Sequence, residues 1–216
     1  MPVSINGSGS ITGVSVGGLP DGIVDADTLA TNSVTTTKIA SKAATSPKLG
    51  SGAVIQVVQD TFNGIGSFGI NNTIYVPNAP SAILTPISAS NKILVDVYLN
   101  TTANSNNLLN QIILYREIGG SGGFSAVTGA IGDAAGSRRR VTGGYRTTGA
   151  NGFGTYQVNI KYLDSPNTTS SVQYKVAHCH GNQGYTEHFI NKTSTDTDSY
   201  EFGRMYSSMI LSEIAA

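Results

Sequence analysis

Two patterns of apolar and polar positions divide the chain near residue 53. Beyond it, apolar residues alternate with polar ones at the two-residue period of a strand with one buried face. The runs are short and rich in β-branched residues: "AVIQVVQ", "NTIYV", "SAILTPISA", "KILVDVYLN", "NQIILYRE", "RRRVTGGYR", "TYQVNIKYL", "SSVQYKVAHCH" and "MYSSMILSEIAA". Turn-forming stretches such as "SPNTTS", "IGGSGG" and "GANGFG" separate them, and no long segment carries a helical stripe. Such spacing predicts a mainly β chain with an antiparallel β-sandwich, jelly-roll-like, over 53–216. Its clearest predicted element is a hairpin. Val158, Ile160 and Tyr162 line one strand and Val172, Tyr174 and Val176 the next, with Lys161 and Lys175 on the opposite face.

Before residue 53 the pattern fits neither template. Apolar residues recur at every fifth place, at Val14, Leu19, Val24, Leu29, Val34, Ile39, Ala44 and Leu49, and the gaps hold Thr, Ser, Ala, Gly and Asp without one aromatic residue. A fixed short period signals an elongated structure. One such chain buries too little apolar surface to offset a backbone entropy of ~1–2 kcal/mol per residue. Three parallel copies around an axis can bring Val14, Leu19, Val24, Leu29, Val34, Ile39 and Leu49 onto their symmetry mates, and closed symmetry removes exposed edges. The expected organisation is an attachment segment at 1–10, a slender repeat stalk at 11–52, of helical turns or extended strands, and a sandwich head at 53–216, assembled as a homotrimer. A flexible Ser/Thr/Gly linker is the competing reading.

Composition narrows the partners. The chain has 216 residues, 13 basic and 13 acidic side chains and a net charge of +0, so no overall field steers it to nucleic acid or an anionic membrane. Charged residues are 12% of the chain against about 25% in an ordinary globular protein, so hydroxyls and amides solvate the surface. The single cysteine, Cys179, excludes an intrachain disulfide framework and suits a reducing compartment. The segment "MPVSINGSGS" has no basic and apolar signal-peptide pattern, and no apolar run reaches the ~20 residues of a membrane helix.

The stretch "GLPDGIVDADTLATNSVTTTKIA", together with "KLGSGAVIQVV", "GDAAGSRRR", "YLDSPNTTSSVQYKV" and "SSMILSEIAA", resembles tail-fibre and related structural proteins of marine and freshwater bacteriophages, including those of cyanobacteria. The resemblance runs from Ile11 almost to Ala216. It implies a trimeric virion fibre, made in the host cytoplasm, that joins other virion proteins through its N-terminal stalk and presents a β-sandwich head to the host surface. A fibre decorating a capsid or collar, with no receptor role, is the alternative, and a polysaccharide-cleaving spike a more distant one. About ten residues precede the repeat, too few for a separate anchoring domain, and this departs from the family pattern.

Candidate chemistry is sparse. "SRRRVTGGYR" gathers Arg138, Arg139, Arg140 and Arg146 beside Tyr145, and guanidinium groups grip phosphate and carboxylate bidentately, as a host lipopolysaccharide or acidic glycan would require. The adjoining glycine-rich run places Phe153 and Tyr156 where a sugar ring could stack. The competing reading has edge-strand arginines merely solvated or paired with a neighbouring subunit. On one strand His178 and His180 share a face, so three copies could offer six imidazoles to one axial metal ion; equally, the two continue the Val172, Tyr174, Val176 face and close the core. "GIGSFG" at Gly64–Gly69 matches a dinucleotide fingerprint by letter but is followed by turn and strand, so no cofactor is expected. Asp196 and Asp198 sit in a polar turn without the rest of a calcium loop. Without a nucleophile elbow, a zinc-protease motif or a phosphate loop, the chain is not expected to be an enzyme.

Overall fold

The computed structural model describes residues 29, 31, 33–39, 48–70, 74–75, 79–104, 109–147, 154–180 and 186–216. The chain divides into two compact units, Met1–Thr45 and Ser46–Ala216. In the first, the described residues include one 3₁₀ turn, Thr36–Lys38, whose Lys38 ammonium donates to Ser33 O at 2.6 Å. The predicted axis positions Val14, Leu19 and Val24 lie outside the described residues. Leu29, Val34 and Ile39 are exposed, at 44, 54 and 50%.

Among its described residues the second unit contains twelve strands: β1 (Val54–Phe62), β2 (Gly66–Ile70), β3 (Ile74–Tyr75), β4 (Ile83–Leu84), β5 (Lys92–Ala103), β6 (Leu109–Ile118), β7 (Ser125–Ala126), β8 (Gly143–Arg146), β9 (Tyr156–Asp164), β10 (Val172–His180), β11 (Thr186–Ile190) and β12 (Ser207–Ile214). Every pairing is antiparallel. Several short strands share one rail: β1 and β2 flank β12 and β11, β3 and β4 both flank β10, and β7 and β8 both flank β6. Each sheet is therefore four rails wide. One runs β1/β2, β12/β11, β5, β9, and the other β3/β4, β10, β6, β7/β8. The chain alternates between the sheets in the connectivity of an eight-rail jelly roll.

The predicted hairpin takes a different form. The residues expected to point inward do so, with Val158 and Ile160 from β9 and Val172, Tyr174 and Val176 from β10 buried in one core cluster. However, β9 pairs with β5 and β10 with β6, in opposite sheets. The strands meet face to face across the core and are not hydrogen-bonded side by side. Alternation reports which face is buried; it does not report the neighbour. The core between the sheets is completed by Ile93, Val95, Val97 and Leu99 of β5, Ile112 and Leu114 of β6, and Met209 and Leu211 of β12.

A buried ion pair ties the sheets together. Asp164 of β9, 5% exposed, accepts hydrogen bonds from the Arg116 guanidinium of β6 and from the Tyr174 hydroxyl of β10 at 2.6 Å. Burial, and the adjacent Asp164 carboxylate, push the Tyr174 hydroxyl far above its ordinary range.

The two ends of the sandwich differ. At the base, Gly52 N–H donates to Ala215 O and Ala215 N–H to Ala53 O, both at 2.9 Å. The predicted axis residue Leu49 lies here, 37% exposed, beside Ile55, Ile87 and Ala215 in a hollow of about 290 Å³. The described strand ends on either side of the β2–β3, β5–β6, β8–β9 and β10–β11 connections lie at the opposite end.

Candidate functional site

At the loop-bearing end the core changes character. Toward the base its inward positions are Val, Ile and Leu. At the other end they become Thr101 of β5, Asn110 of β6, Thr186 and His188 of β11, and His178 and His180 of β10, all buried. All three histidines of the chain meet here. The rings of His178 and His188 have centroids 5.7 Å apart, those of His180 and His188 6.0 Å. Phe68 of β2 packs edge-on to His178 at 5.2 Å and stacks on His188 at 5.6 Å.

The three rings are satisfied unequally. His180 Nε2 is 2.9 Å from Ile70 O of β2. His178 and His188 are 0% exposed, and among the described residues neither ring nitrogen of either has a hydrogen-bond partner. Burial lowers the His178 pKa well below the ordinary histidine value, and the neighbouring His188 lowers it further. Burial, then the neighbouring His180, brings His188 down to about 4. Both rings are neutral at pH 7.

The rings of His178 and His180 lie inside one chain, 0% and 2% exposed, and His180 stacks on a third histidine from the other sheet. Among the described residues, no group of three or more His, Cys, Asp or Glu side chains is placed to hold a metal ion. Cys179 points to the opposite face, buried, with its Sγ 3.6 Å from Gln111 O.

The candidate glycan residues separate. Arg138, Arg139 and Arg140 are exposed on the segment that precedes β8, where Arg140 Nε donates to Gly132 O at 2.6 Å. Arg146 is exposed at the other end of β8, opposite Leu109. Alternation on β8 sends Arg146 outward and Tyr145 inward, so Tyr145 is no platform beside the arginines: it is a core residue, 9% exposed. Its hydroxyl lies 3.3 Å from Thr101 Oγ1 and its ring stacks on Tyr156 at 4.7 Å, closing the core between β8 and β9. Burial raises the Tyr145 pKa well above the ordinary phenol value. Tyr156 is the half-buried first residue of β9, and Phe153 lies outside the described residues.

The "GIGSFG" segment forms β2 from Gly66 onward and pairs with β11, so no helix opens there to receive a pyrophosphate. Sequence reasoning sees His188 near the His178, His180 pair but does not place it on a strand, since "TEHFI" is short, carries a charge and follows the turn-like "GNQGY". Its Thr186, His188, Ile190 alternation was the available signal. It also missed the compact loop between β11 and β12. Asn191 closes the neck of this loop, donating from Nδ2 to Phe62 O at 2.7 Å and Gly64 O at 2.9 Å, while its Oδ1 accepts from the Ser207 hydroxyl at 2.6 Å. Within the loop Asp196 is paired with Arg204 at 2.8 Å and Lys192 at 3.5 Å, beside a polar hollow of about 320 Å³ that Asp198 and Phe202 also line.

No protein-family model matches the chain, and no curated protein matches it. Among solved structures it is similar to a chain of the infectious bursal disease virus Gx strain, at 14% identity and TM-score 0.35 over 74% of this chain and 36% of that one. It is likewise similar to a chain of the infectious bursal disease virus VP2 subviral particle, at 15% identity and TM-score 0.37 over 74% of this chain and 37% of that one. This chain thus spans little more than a third of the length of either.

Proposed function

We propose that the chain is a structural fibre protein of a bacteriophage particle: a homotrimer joined to other virion proteins through its N-terminal stalk, with the jelly-roll head turned toward the host surface. The role is attachment, without catalysis. The observation that carries the reading is the exposure of the five-residue repeat. Leu29, Val34 and Ile39 are about half exposed in one chain, and Leu49 continues the series at the base of the head. Regularly spaced aliphatic side chains left in water are what an oligomeric axis requires, because parallel copies would bury them.

The loop-bearing end supports the second half of the reading. It lies opposite the end where β1 begins, and Arg146 of β8 is exposed there. Loops held by a rigid scaffold are where binding residues concentrate. The ligand class in this reading is a host-surface glycan, met by stacking and by exposed Arg146. The test is competition for adsorption: saturating purified protein should block attachment of the phage that encodes it. Unimpaired attachment would refute the receptor role and leave a capsid or collar decoration fibre.

A further inference from the structure

We propose that the loop-bearing end of the sandwich is an acid-operated latch, closed while His178 and His188 are neutral and opened when they take up protons. Three features of the interior lead there. First, two imidazoles are fully buried with, among the described residues, no hydrogen-bond partner on any of four ring nitrogens, an arrangement that lowers stability even in the neutral state. Second, no described inward group at this end carries a compensating negative charge. The inward groups are Phe68 of β2, in ring contact with both imidazoles, His180 of β10, in ring contact with His188, and Ile70 of β2, Thr101 and Ala103 of β5, Asn110 of β6, Thr186 of β11 and Tyr145 of β8; Glu187 of β11 is exposed. Among the described residues the only other titratable neighbours are therefore His180, itself a base, and a tyrosine bonded to Thr101. Third, β11, which carries His188, is the weakly paired neighbour of β5: among the described residues it meets β5 over three residue pairs, against seven for β12 and nine for β9.

This third feature makes the opening local. The base is held by the long β1–β12–β5–β9 ladder, by the Asp164 ion pair and by the closely packed aliphatic core, none of which involves a histidine. β11 can leave β5 and β2 while that ladder stays intact, with Asn191 as the fixed end of the opening, since its side chain stays bonded to Phe62 O, Gly64 O and the Ser207 hydroxyl. The sign follows from linkage. In the opened state each ring returns to an ordinary histidine value of about 6.5, so that state binds more protons once pH falls below it. Closure is complete above about pH 6.5 and is lost as pH falls toward the folded value of about 4 for His188.

The test is backbone hydrogen exchange on the full-length protein between pH 7 and pH 4.5, corrected for intrinsic exchange. Protection in Gly66–Ile70, Ala177–His180 and Thr186–Ile190 should fall up to about a hundredfold per pH unit, tenfold for each of two protons, while Val54–Phe62, Ser207–Ile214 and Lys92–Leu99 keep theirs. The variant His188→Leu should reduce that slope to about tenfold. Unchanged protection, or an equal loss in every strand, would overturn the latch. Should His188→Leu fail to fold, ring titration by NMR in the wild-type chain decides: either imidazole titrating near pH 6.5 in the closed protein overturns the proposal, and its absence down to pH 5 upholds it.

Discussion

Replacing Glu213 by Gln tests the hydrogen-bond logic of the base. Glu213 is fully buried in β12. Its Oε1 accepts from Ile87 N–H at 2.8 Å and from Asn91 Nδ2 at 2.6 Å, and its Oε2 accepts from Gln56 Nε2 at 2.5 Å. Burial alone would raise its pKa, but the donors of Asn91, Gln56 and the Ile87 and Ser88 backbone outweigh it and hold the carboxyl below its ordinary value. In Glu213→Gln one oxygen becomes an NH2 group facing the Gln56 amide. Gln56 cannot flip without losing its bond to Thr85 O, since Nε2 makes both contacts. The loss is the charge-assisted bond from Gln56 and the charge assistance of the bonds from Asn91 and Ile87, about 3 kcal/mol together. For a chain of this size that lowers Tm by roughly 6–12 °C. Because the folded pKa is depressed, the wild type gains this stability above its unfolded value of about 4.5 and loses it as pH falls through the folded value. Denaturant unfolding at pH 7 and pH 3 should therefore show a gap between wild type and variant at pH 7 that narrows at pH 3. A difference at pH 7 below about 0.5 kcal/mol would refute the assignment.

Other consequences follow from the same coordinates. Asp164→Ala should cost about 3 kcal/mol in denaturant unfolding, because it strands the Arg116 guanidinium and the Tyr174 hydroxyl, whereas Arg116→Met with Asp164→Leu and Tyr174→Phe should recover most of it. Leu211→Ala opens a cavity in the fully packed core and should lower unfolding free energy by about 2–5 kcal/mol at unchanged denaturant slope. Gly144→Ala would drive a Cβ into Asn110 O, so the β6–β8 pairing should loosen and amide protection at Tyr145 and Arg146 should drop. Changing Leu29, Val34 and Ile39 together to Ser should leave the melting of the head within about 1 °C but weaken self-association in sedimentation velocity, since none of the three is buried in the single chain.

The strands that could be read from sequence are those whose two faces differ. Lys92–Ala103 and Val172–His180 alternate cleanly and form β5 and β10. Gly66–Ile70 did not stand out, because its glycines read as turn, and Thr186–Ile190 was hidden by its length and by Glu187. The second omission concealed the site. His178 and His180 were visible as a pair on one face, but their burial and their third partner depend on β11 lying across the core, a long-range contact that no local period encodes. Tyr145 was misread for a related reason. "RRRVTGGYR" reads as one strand, yet only Gly143–Arg146 pairs with β6, and that register turns the tyrosine inward. The jelly-roll connectivity, by contrast, emerges only from the pairing of distant strands.

The central claim is that parallel copies of the chain bury the five-residue repeat around one axis. Native mass by light scattering, on the full-length chain at micromolar concentration, tests it most directly. The account predicts three times the 22.4 kDa chain mass, reduced when Leu29, Val34 and Ile39 are changed to Ser. A single-chain mass across the micromolar range would contradict it.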